Sequence, residues 1–430
     1  MNISIVGAGY VGLVTGACFA ELGHKVVCVD NDASKIRSLK QLKIPIYEPG
    51  LEELVKRNCR QRRLVFTTDI ARAVKGSTAV FIAIGTPPKE NGEADLTGIE
   101  NVARSIARAM TSYRLIVEKS TVPVETGRWV ERTIEINKRK GVTFDVASNP
   151  EFLREGQAIK DFMQPDRIVL GVGSKKAEKL LKEIYAGIKA DILVTDIKSA
   201  ELIKHASNSF LALKISFINA VAKICELAGA DVERVAEGVG LDKRIGRSFL
   251  DAGIGFGGFC LPKDLEAFVN ISRQLGYSFD LLKEVKRINE FQKEDFVKKI
   301  ESNLWNIKDK TIAILGLAFK PDTDDMRFAP SIDIVNTLVR HGAHVRAYDP
   351  QAMTRAKKIF LSGVKFCSGP YEAARSSDCL IIITEWNEFK ELDLKKLKKL
   401  LKQPLIIDGR NTYSPEALKS HGFKYVSIGR

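Results

Sequence analysis

Residues 3–30 constrain the fold of this chain more than any other stretch. Ile3-Ser4-Ile5-Val6 reads as a short apolar strand and runs directly into Gly7-Ala8-Gly9-Tyr10-Val11-Gly12. A helical pattern follows (Leu13, Ala17, Phe19, Ala20, Leu22) and stops at Gly23, and a second strand, Lys25-Val26-Val27-Cys28-Val29, ends in Asp30. Strand, G-x-G-x-x-G, helix, strand and acid in that order form a dinucleotide-binding fingerprint. The glycines let a pyrophosphate sit against backbone N–H groups at the helix N-terminus, so Gly7, Gly9, Tyr10, Val11 and Gly12 are expected cofactor contacts. Asp30 is placed to accept hydrogen bonds from ribose hydroxyls, and its charge repels a 2′-phosphate. NAD is therefore expected over NADP.

The wound α/β pattern continues beyond this unit. Ala79 to Ile84 is apolar without polar alternation, as in buried parallel strands, and runs into Gly85-Thr86-Pro87-Pro88. Leu115 to Lys119 runs into Ser120-Thr121-Val122-Pro123, and Phe144 to Ala147 into Ser148-Asn149-Pro150-Glu151-Phe152-Leu153-Arg154-Glu155-Gly156. Ligands of open α/β sheets bind beyond the carboxyl ends of strands, so Thr86, Thr121, Glu151 and Glu155 are expected along one crevice. Asp166–Gly171 and Ala190–Val194 read as two further strands that close the domain near residue 196.

An uninterrupted helical pattern then runs from about Ile197 to Ala228. Lys204 and Asn208 share one face, extended by Ile215 and Asn219, while Ile203, Phe210, Leu213 and Phe217 form apolar stripes. By ordinary burial preferences the Lys and Asn stripe is expected to face solvent, with a polar cleft as the alternative. A helix of this length also suits a domain linker or dimer interface.

Further on, Gly255-Phe256-Gly257-Gly258-Phe259-Cys260-Leu261-Pro262-Lys263-Asp264 places a lone cysteine after three glycines and before a helical pattern. Pro262 suits the first position of that helix. The helix dipole and Lys263 favour thiolate at Cys260, and Asp264 lies close enough to handle a proton or a water. The competing reading is the commoner one, a buried structural cysteine.

After Trp305 a second α/β unit begins: strand Thr311–Gly316, a polar loop from Leu317 to Arg327, a helix, and a strand His344–Asp349. G-x-G-x-x-G is absent, so a nucleotide other than NAD, held by Lys320 and Arg327, is expected. Two further strands, from Leu380 and from Leu405, have polar ends.

The expected architecture is α/β: two Rossmann-like doubly wound parallel-sheet domains joined by a long central helix and an all-helical middle region. The expected boundaries are 1–196 for the NAD-binding domain, 197–304 for a helical, dimerising segment that carries the Cys260 loop, and 305–430 for the second Rossmann-like domain. A chain of 430 residues is expected to hold two or three such units.

Composition narrows the function. Lys and Arg exceed Asp and Glu by 14, which suits either nucleic acid or polyphosphate ligands. The basic clusters at 56–63 and 395–402 lack interleaved aromatics and read as solvated helix faces, so no nucleic-acid partner is expected. No apolar run is long enough to span a bilayer, Met1 leads straight into a strand without room for a signal peptide, and the seven scattered cysteines form neither a disulfide nor a metal framework. A cytoplasmic enzyme without metal or membrane partner is the expectation.

Together the Gly7–Gly12 turn with Asp30, Gly85-Thr86-Pro87, Ser120-Thr121-Val122-Pro123, the Asn149–Gly156 segment, Lys204 with Asn208, the Cys260 loop, Phe319-Lys320 through Arg327, and Thr384-Glu385-Trp386 resemble the motifs of the UDP-glucose/GDP-mannose dehydrogenase family. The resemblance covers essentially the whole chain. It implies a four-electron oxidation of a sugar C6 alcohol, UDP-glucose to UDP-glucuronate, with two NAD used in succession and a thiohemiacetal and thioester on Cys260. It implies Lys204 and Asn208 as oxyanion donors, and Asp264, Glu151 and Thr121 for proton transfer and hydrolysis. Lys35, Thr86, Thr121, Glu155, Lys263 and Arg327 would line the NAD side. Glu151, Phe152, Leu153, Arg154, Glu155, Lys204, Asn208, Phe249, Leu250, Asp251, Ala252, Gly253, Gly257 and Lys320 would meet the UDP-sugar, which the last domain would bind. Arg244 and Arg410 would contact the diphosphate, across a homodimer or higher homo-oligomer.

Two positions depart from the family pattern, which usually has Ser before the cysteine and Phe after it: here they are Phe259 and Leu261. The same chemistry on GDP-mannose or UDP-N-acetylmannosamine is thus an alternative. A two-electron hydroxyacid-type dehydrogenase and a non-catalytic NAD- or nucleic-acid-binding protein are others.

Overall fold

The computed structural model describes residues 1–89, 92–360 and 362–430. The chain divides into two compact units, Met1–Ser207 with Glu266–Gly276, and Asn208–Leu265 with Tyr277–Arg430. The helices Ile197–Ala228 and Cys260–Gln274 each contribute residues to both.

The first unit is built on β1 (Asn2–Val6), β2 (Lys25–Val29), β3 (Leu64–Thr67), β4 (Ala79–Ile82), β5 (Arg114–Glu118), β6 (Phe144–Ser148), β7 (Arg167–Val172) and β8 (Asp191–Thr195). They form one sheet in the order β3-β2-β1-β4-β5-β6-β7-β8. The first six are parallel, whereas β7 runs antiparallel to β6 and parallel to β8. Every residue of β4 and β5 is buried, which is why these segments carry no polar alternation. The strand order reverses between β1 and β4, the switch point beyond which nucleotides bind in such sheets.

The second unit repeats the theme with β9 (Thr311–Leu315), β10 (His344–Tyr348), β11 (Val364–Phe366), β12 (Cys379–Ile382), β13 (Leu405–Asp408) and β14 (Lys424–Val426), all parallel, in the order β11-β10-β9-β12-β13-β14. Its core joins these strands to the helical segment: Ile218 and Ala222, Val232 and Ala236, and Phe296 and Ile300 pack in one cluster with Ile312–Leu315 and Leu380–Ile383. No described helix is long and apolar enough to cross a membrane.

The helix Ile197–Ala228 matches the expected span, but its faces are inverted. Lys204, Asn208 and Asn219 are buried at 4%, 7% and 0% exposure, while Phe210 and Phe217 are 60% and 51% exposed. The expectation that solvent takes the Lys and Asn stripe is therefore corrected. Burial of these polar groups is sustained by partners: Glu151 for Lys204, Asp264 for Asn208, and the Gly253 amide for Asn219.

Candidate active site

In the first unit the turn after β1 has room only for glycine. Gly7 sits at φ +106°, and a Cβ there would lie 2.4 Å from the Ala83 carbonyl oxygen; one on Gly12 would lie 1.9 Å from that of Gly7. Gly9 behaves differently. It caps the helix Tyr10–Glu21 with no side-chain hydrogen bond, and a Cβ on it would meet nothing within 4 Å. Open space in front of an uncapped helix N-terminus is the geometry a pyrophosphate requires. Asp30, at the end of β2, accepts from the Ala8 amide at 2.9 Å and Lys35 Nζ at 2.8 Å on Oδ2, and from the Asp32 amide at 3.0 Å on Oδ1. Burial alone would raise its pKa, but Lys35 and these amides hold it below the ordinary carboxylate value. The residues present thus fit an NAD molecule.

Tyr10 and Val11 are half-buried. The Tyr10 hydroxyl donates to Glu48, whose two oxygens also accept from the Gly156 amide at 2.6 Å and the Ala158 amide at 2.7 Å. Glu48 thereby pins the segment that follows Glu155. Nothing near Glu48 in sequence signalled this role. Thr86 is buried and donates to the Thr121 carbonyl at 2.9 Å, which joins the turns after β4 and β5.

Beyond β6, Glu151 Oε1 lies 3.0 Å from Lys204 Nζ, with Glu151 Oε2 accepting from the Leu153 amide at 2.6 Å. The Phe152 ring has the Arg167 guanidinium 3.8 Å from its centroid and the Lys204 ammonium at 5.4 Å. Behind them the fully buried Lys119 donates to Asn149 Oδ1 at 2.9 Å, and the Tyr185 hydroxyl donates to the same oxygen at 2.6 Å. Burial pushes the Lys119 ammonium down to about 7; Glu151 opposes this and the Lys204 charge adds to it. Leu153 packs against the apolar core, and Arg154 is exposed, its guanidinium paired with Asp161 at 2.6 Å.

In the second unit, Cys260 is the first residue of the helix Cys260–Gln274 and is half-buried. Pro262 is thus third in the helix rather than first, still within the turn where a missing N–H costs nothing. Asp264, one turn after Cys260, is 1% exposed; it accepts from Asn208 Nδ2 at 2.5 Å and lies 2.6 Å from Lys263 Nζ. Phe259 carries the Arg327 guanidinium 4.3 Å from its ring centroid, and Asp325 grips the same guanidinium at 2.6 Å. Gly257 and Gly258 leave no space for side chains: a Cβ would lie 2.4 Å from the Phe328 carbonyl oxygen and 2.7 Å from the Phe319 ring.

Buried amides hold the backbone of this loop. Asn219 accepts from the Gly253 amide at 2.8 Å, Gln292 donates to its carbonyl at 2.9 Å, and Asn289 bonds both backbone groups of Phe256 at 2.8 and 3.1 Å. Asn289 and Gln292 escaped the sequence reading, because polar residues on a helix 33 to 39 positions away resemble a solvated face. Arg410 donates to the carbonyls of Ile383, Gly255 and Phe319, so it braces the loop.

The other expected substrate contacts differ in exposure. The Leu250 and Ala252 side chains are in the core, Phe249 is half-buried, and Asp251 is exposed and paired with Arg247. Arg244 is exposed with its guanidinium on Asp242. Lys320 is half-buried, its ammonium 5.8 Å from the Phe319 centroid. At the end of β10, Asp349 takes the place that Asp30 has after β2. It is 1% exposed and accepts from the Leu317 and Ala318 amides, Trp386 Nε1 and the Gln351 and Ala352 amides. With its oxygens so engaged, this acid has none left for a ribose.

Two nucleotide-type sheets, a dinucleotide turn with its acid and a cysteine at a helix start define a dehydrogenase of the nucleotide-sugar class. The chain belongs to the UDP-glucose/GDP-mannose dehydrogenase family: residues 1–189 match its NAD binding domain, 198–291 its central domain and 313–415 its UDP binding domain. It is 51% identical over 429 residues to the UDP-glucose 6-dehydrogenase TuaD of Bacillus subtilis, covering all of this chain and 93% of that one. Among solved structures it resembles a UDP-glucose dehydrogenase from the hyperthermophilic archaeon Pyrobaculum islandicum, with 41% identity, a TM-score of 0.92 and coverage of 99% and 96%. It also resembles a UDP-D-ManNAc dehydrogenase from Pyrococcus horikoshii, with 29% identity, a TM-score of 0.88 and coverage of 100% and 99%.

Proposed function

We propose that this chain oxidises the C6 alcohol of UDP-glucose to the carboxylate of UDP-glucuronate with two NAD. The observation that carries the choice of sugar is the identity gradient: 51% and 41% to enzymes named for UDP-glucose, against 29% to one named for UDP-D-ManNAc.

NAD, when bound, supplies the hydride acceptor for each of the two oxidations. The turn at Gly7–Gly12 would hold its pyrophosphate and Asp30 its adenosine ribose. The first oxidation converts the alcohol to an aldehyde, losing a hydride and a proton. The Cys260 thiolate attacks the aldehyde carbon to form a C–S bond, and the new oxyanion is met by the Lys204 ammonium and the Asn208 amide. Loss of the second hydride from the same carbon leaves a thioester. Water, held by Thr121, adds to that carbonyl; the C–S bond breaks, the carboxylate departs and the thiol is restored. Glu151 and Asp264 are the carboxylates available for the protons. Glu151 pairs with the Lys204 ammonium at 3.0 Å and so orients it.

Product formation from UDP-glucose, GDP-mannose and UDP-N-acetylmannosamine tests the substrate. The highest kcat/KM is expected with UDP-glucose; turnover of another sugar nucleotide with none of UDP-glucose overturns the choice.

We further propose a cytoplasmic homodimer. Phe210, Phe217 and Ile224 recur every seventh residue of the long helix at 60%, 51% and 63% exposure, an apolar seam that suits a second copy. Sedimentation should show a dimer that Phe217→Glu dissociates; an unaltered mass, or a monomeric parent, contradicts this. The seven free cysteines suit a reducing compartment.

A further inference from the structure

The turn that carries Thr121 is gripped by one face of the long helix. Three residues of that helix, at positions 198, 201 and 205, share a face by the spacing of three and four. Lys198 pairs with the Glu125 carboxylate. Glu201 accepts from the Glu125 amide at 2.9 Å on one oxygen and from the Gly127 amide at 2.7 Å on the other. His205 Nε2 lies 2.8 Å from the Val122 carbonyl oxygen; a carbonyl only accepts, so Nε2 carries the proton.

Local chemistry leaves this grip to the long helix. The helix Thr126–Asn137 has Glu125 at its N-cap with no side-chain cap of its own, and Glu125 sits at φ +77°, a left-handed position unusual for a side-chain-bearing residue. Glu201 supplies the missing cap from 74 residues away. The approach is close enough to demand glycine: a Cβ on Gly127 would lie 2.5 Å from Ile197 Cγ2. Glu201 and His205 are 2% and 1% exposed, so neither is a solvated surface contact.

We infer that Glu201 and His205 are positioning residues that hold the Thr121 turn in register with Lys204, their neighbour on the same helix. Lys204 and Thr121 belong to different segments and must be aligned within a fraction of an ångström for chemistry. Ser120 Oγ anchors the other side of the turn, donating to the Ile84 carbonyl at 2.8 Å, and Thr86 binds the Thr121 carbonyl. The helix supplies the remaining side. This inference rests on the role proposed above for Thr121 in thioester hydrolysis.

The test compares the native enzyme with Glu201→Gln, His205→Ala, His205→Gln and Thr121→Ala. Hydrogen exchange of the backbone amides from 120 to 127 reads the grip, and rapid mixing with UDP-glucose and NAD reads its consequence. Glu201→Gln and His205→Ala should exchange this segment about tenfold faster, the effect of losing one charge-assisted or buried hydrogen bond. They should also release two NADH per site in a burst and then turn over slowly, with a covalent sugar adduct detectable by mass, as Thr121→Ala should. His205→Gln keeps an N–H donor and should restore both readouts toward native. Unchanged exchange, or unchanged partition between burst and steady state while Thr121→Ala accumulates adduct, overturns the positioning role. If Thr121→Ala itself accumulates none, the hydrolytic role of Thr121 fails, and the exchange measurement still decides the grip.

Discussion

Glu151 Oε1 lies 3.0 Å from Lys204 Nζ, with both side chains about 95% withdrawn from solvent. Removing one member of such a pair strands a charge, at a cost of about 3–5 kcal/mol, whereas removing both together costs far less. Lys204→Met is therefore expected to lower the melting temperature markedly, and the Glu151→Gln/Lys204→Met double variant to recover much of the loss. Neither should recover turnover. Thermal melts alongside NADH assays check this; a double variant no more stable than Lys204→Met contradicts it.

Cofactor choice is expected to follow from Asp30. Replacing it with Ser removes the charge that repels a 2′-phosphate and frees Lys35, now 2.8 Å from Oδ2, to meet one. The ratio of kcat/KM for NAD to that for NADP should fall by at least about tenfold, the worth of one charge-assisted contact. An unchanged ratio would mean that Asp30 does not face the ribose.

Glu118 is wholly buried, and burial raises its carboxyl to about 8, with Ser120 opposing and the Glu201 charge adding. An unfolded chain releases this proton near 4.5, so between those values the folded state holds more protons than the unfolded. Its contribution to stability is present at low pH and is lost as pH rises toward 8. Glu118→Gln cannot ionise, so the fall in stability between pH 5 and 8 should be shallower in this variant. Urea titrations at several pH values measure it, and parallel slopes would refute the assignment.

Gly127→Ala tests the closeness of the long helix to the Thr121 turn. With Ile197 only 2.5 Å from the added carbon, one element must shift, and overpacking of this kind costs about 1–3 kcal/mol. The melting temperature and the turnover number should fall together. A neutral substitution would contradict this close approach of the two helices.

Much of this fold is legible in the sequence because parallel strands announce themselves as apolar runs with polar ends. β1, β2, β4 and β5 and the Gly7–Gly12 turn needed nothing else. The strands β3, β11 and β14 escaped notice because they are three or four residues long at or near sheet edges, with only partial burial. Periodicity located the two faces of the long helix but not which one is buried. A polar stripe goes inward only where distant partners await it, as Glu151 and Asp264 do. Glu48, Asn289, Gln292, Glu201 and His205 stayed hidden for the same reason. Each acts on backbone groups 33 to 110 residues away, and spacing along the chain carries no trace of such contacts.

On the proposed route, Cys260 carries the sugar between two oxidations. The measurement that meets it most directly is the count of NADH released per UDP-glucose consumed, by the native enzyme and by Cys260→Ser. Two NADH per sugar nucleotide with the native chain, and a variant that stalls at the aldehyde or a covalent stage without forming acid at a comparable rate, is the expected result. Steady conversion to UDP-glucuronate by Cys260→Ser, or one NADH per substrate from the native chain, would contradict the covalent route.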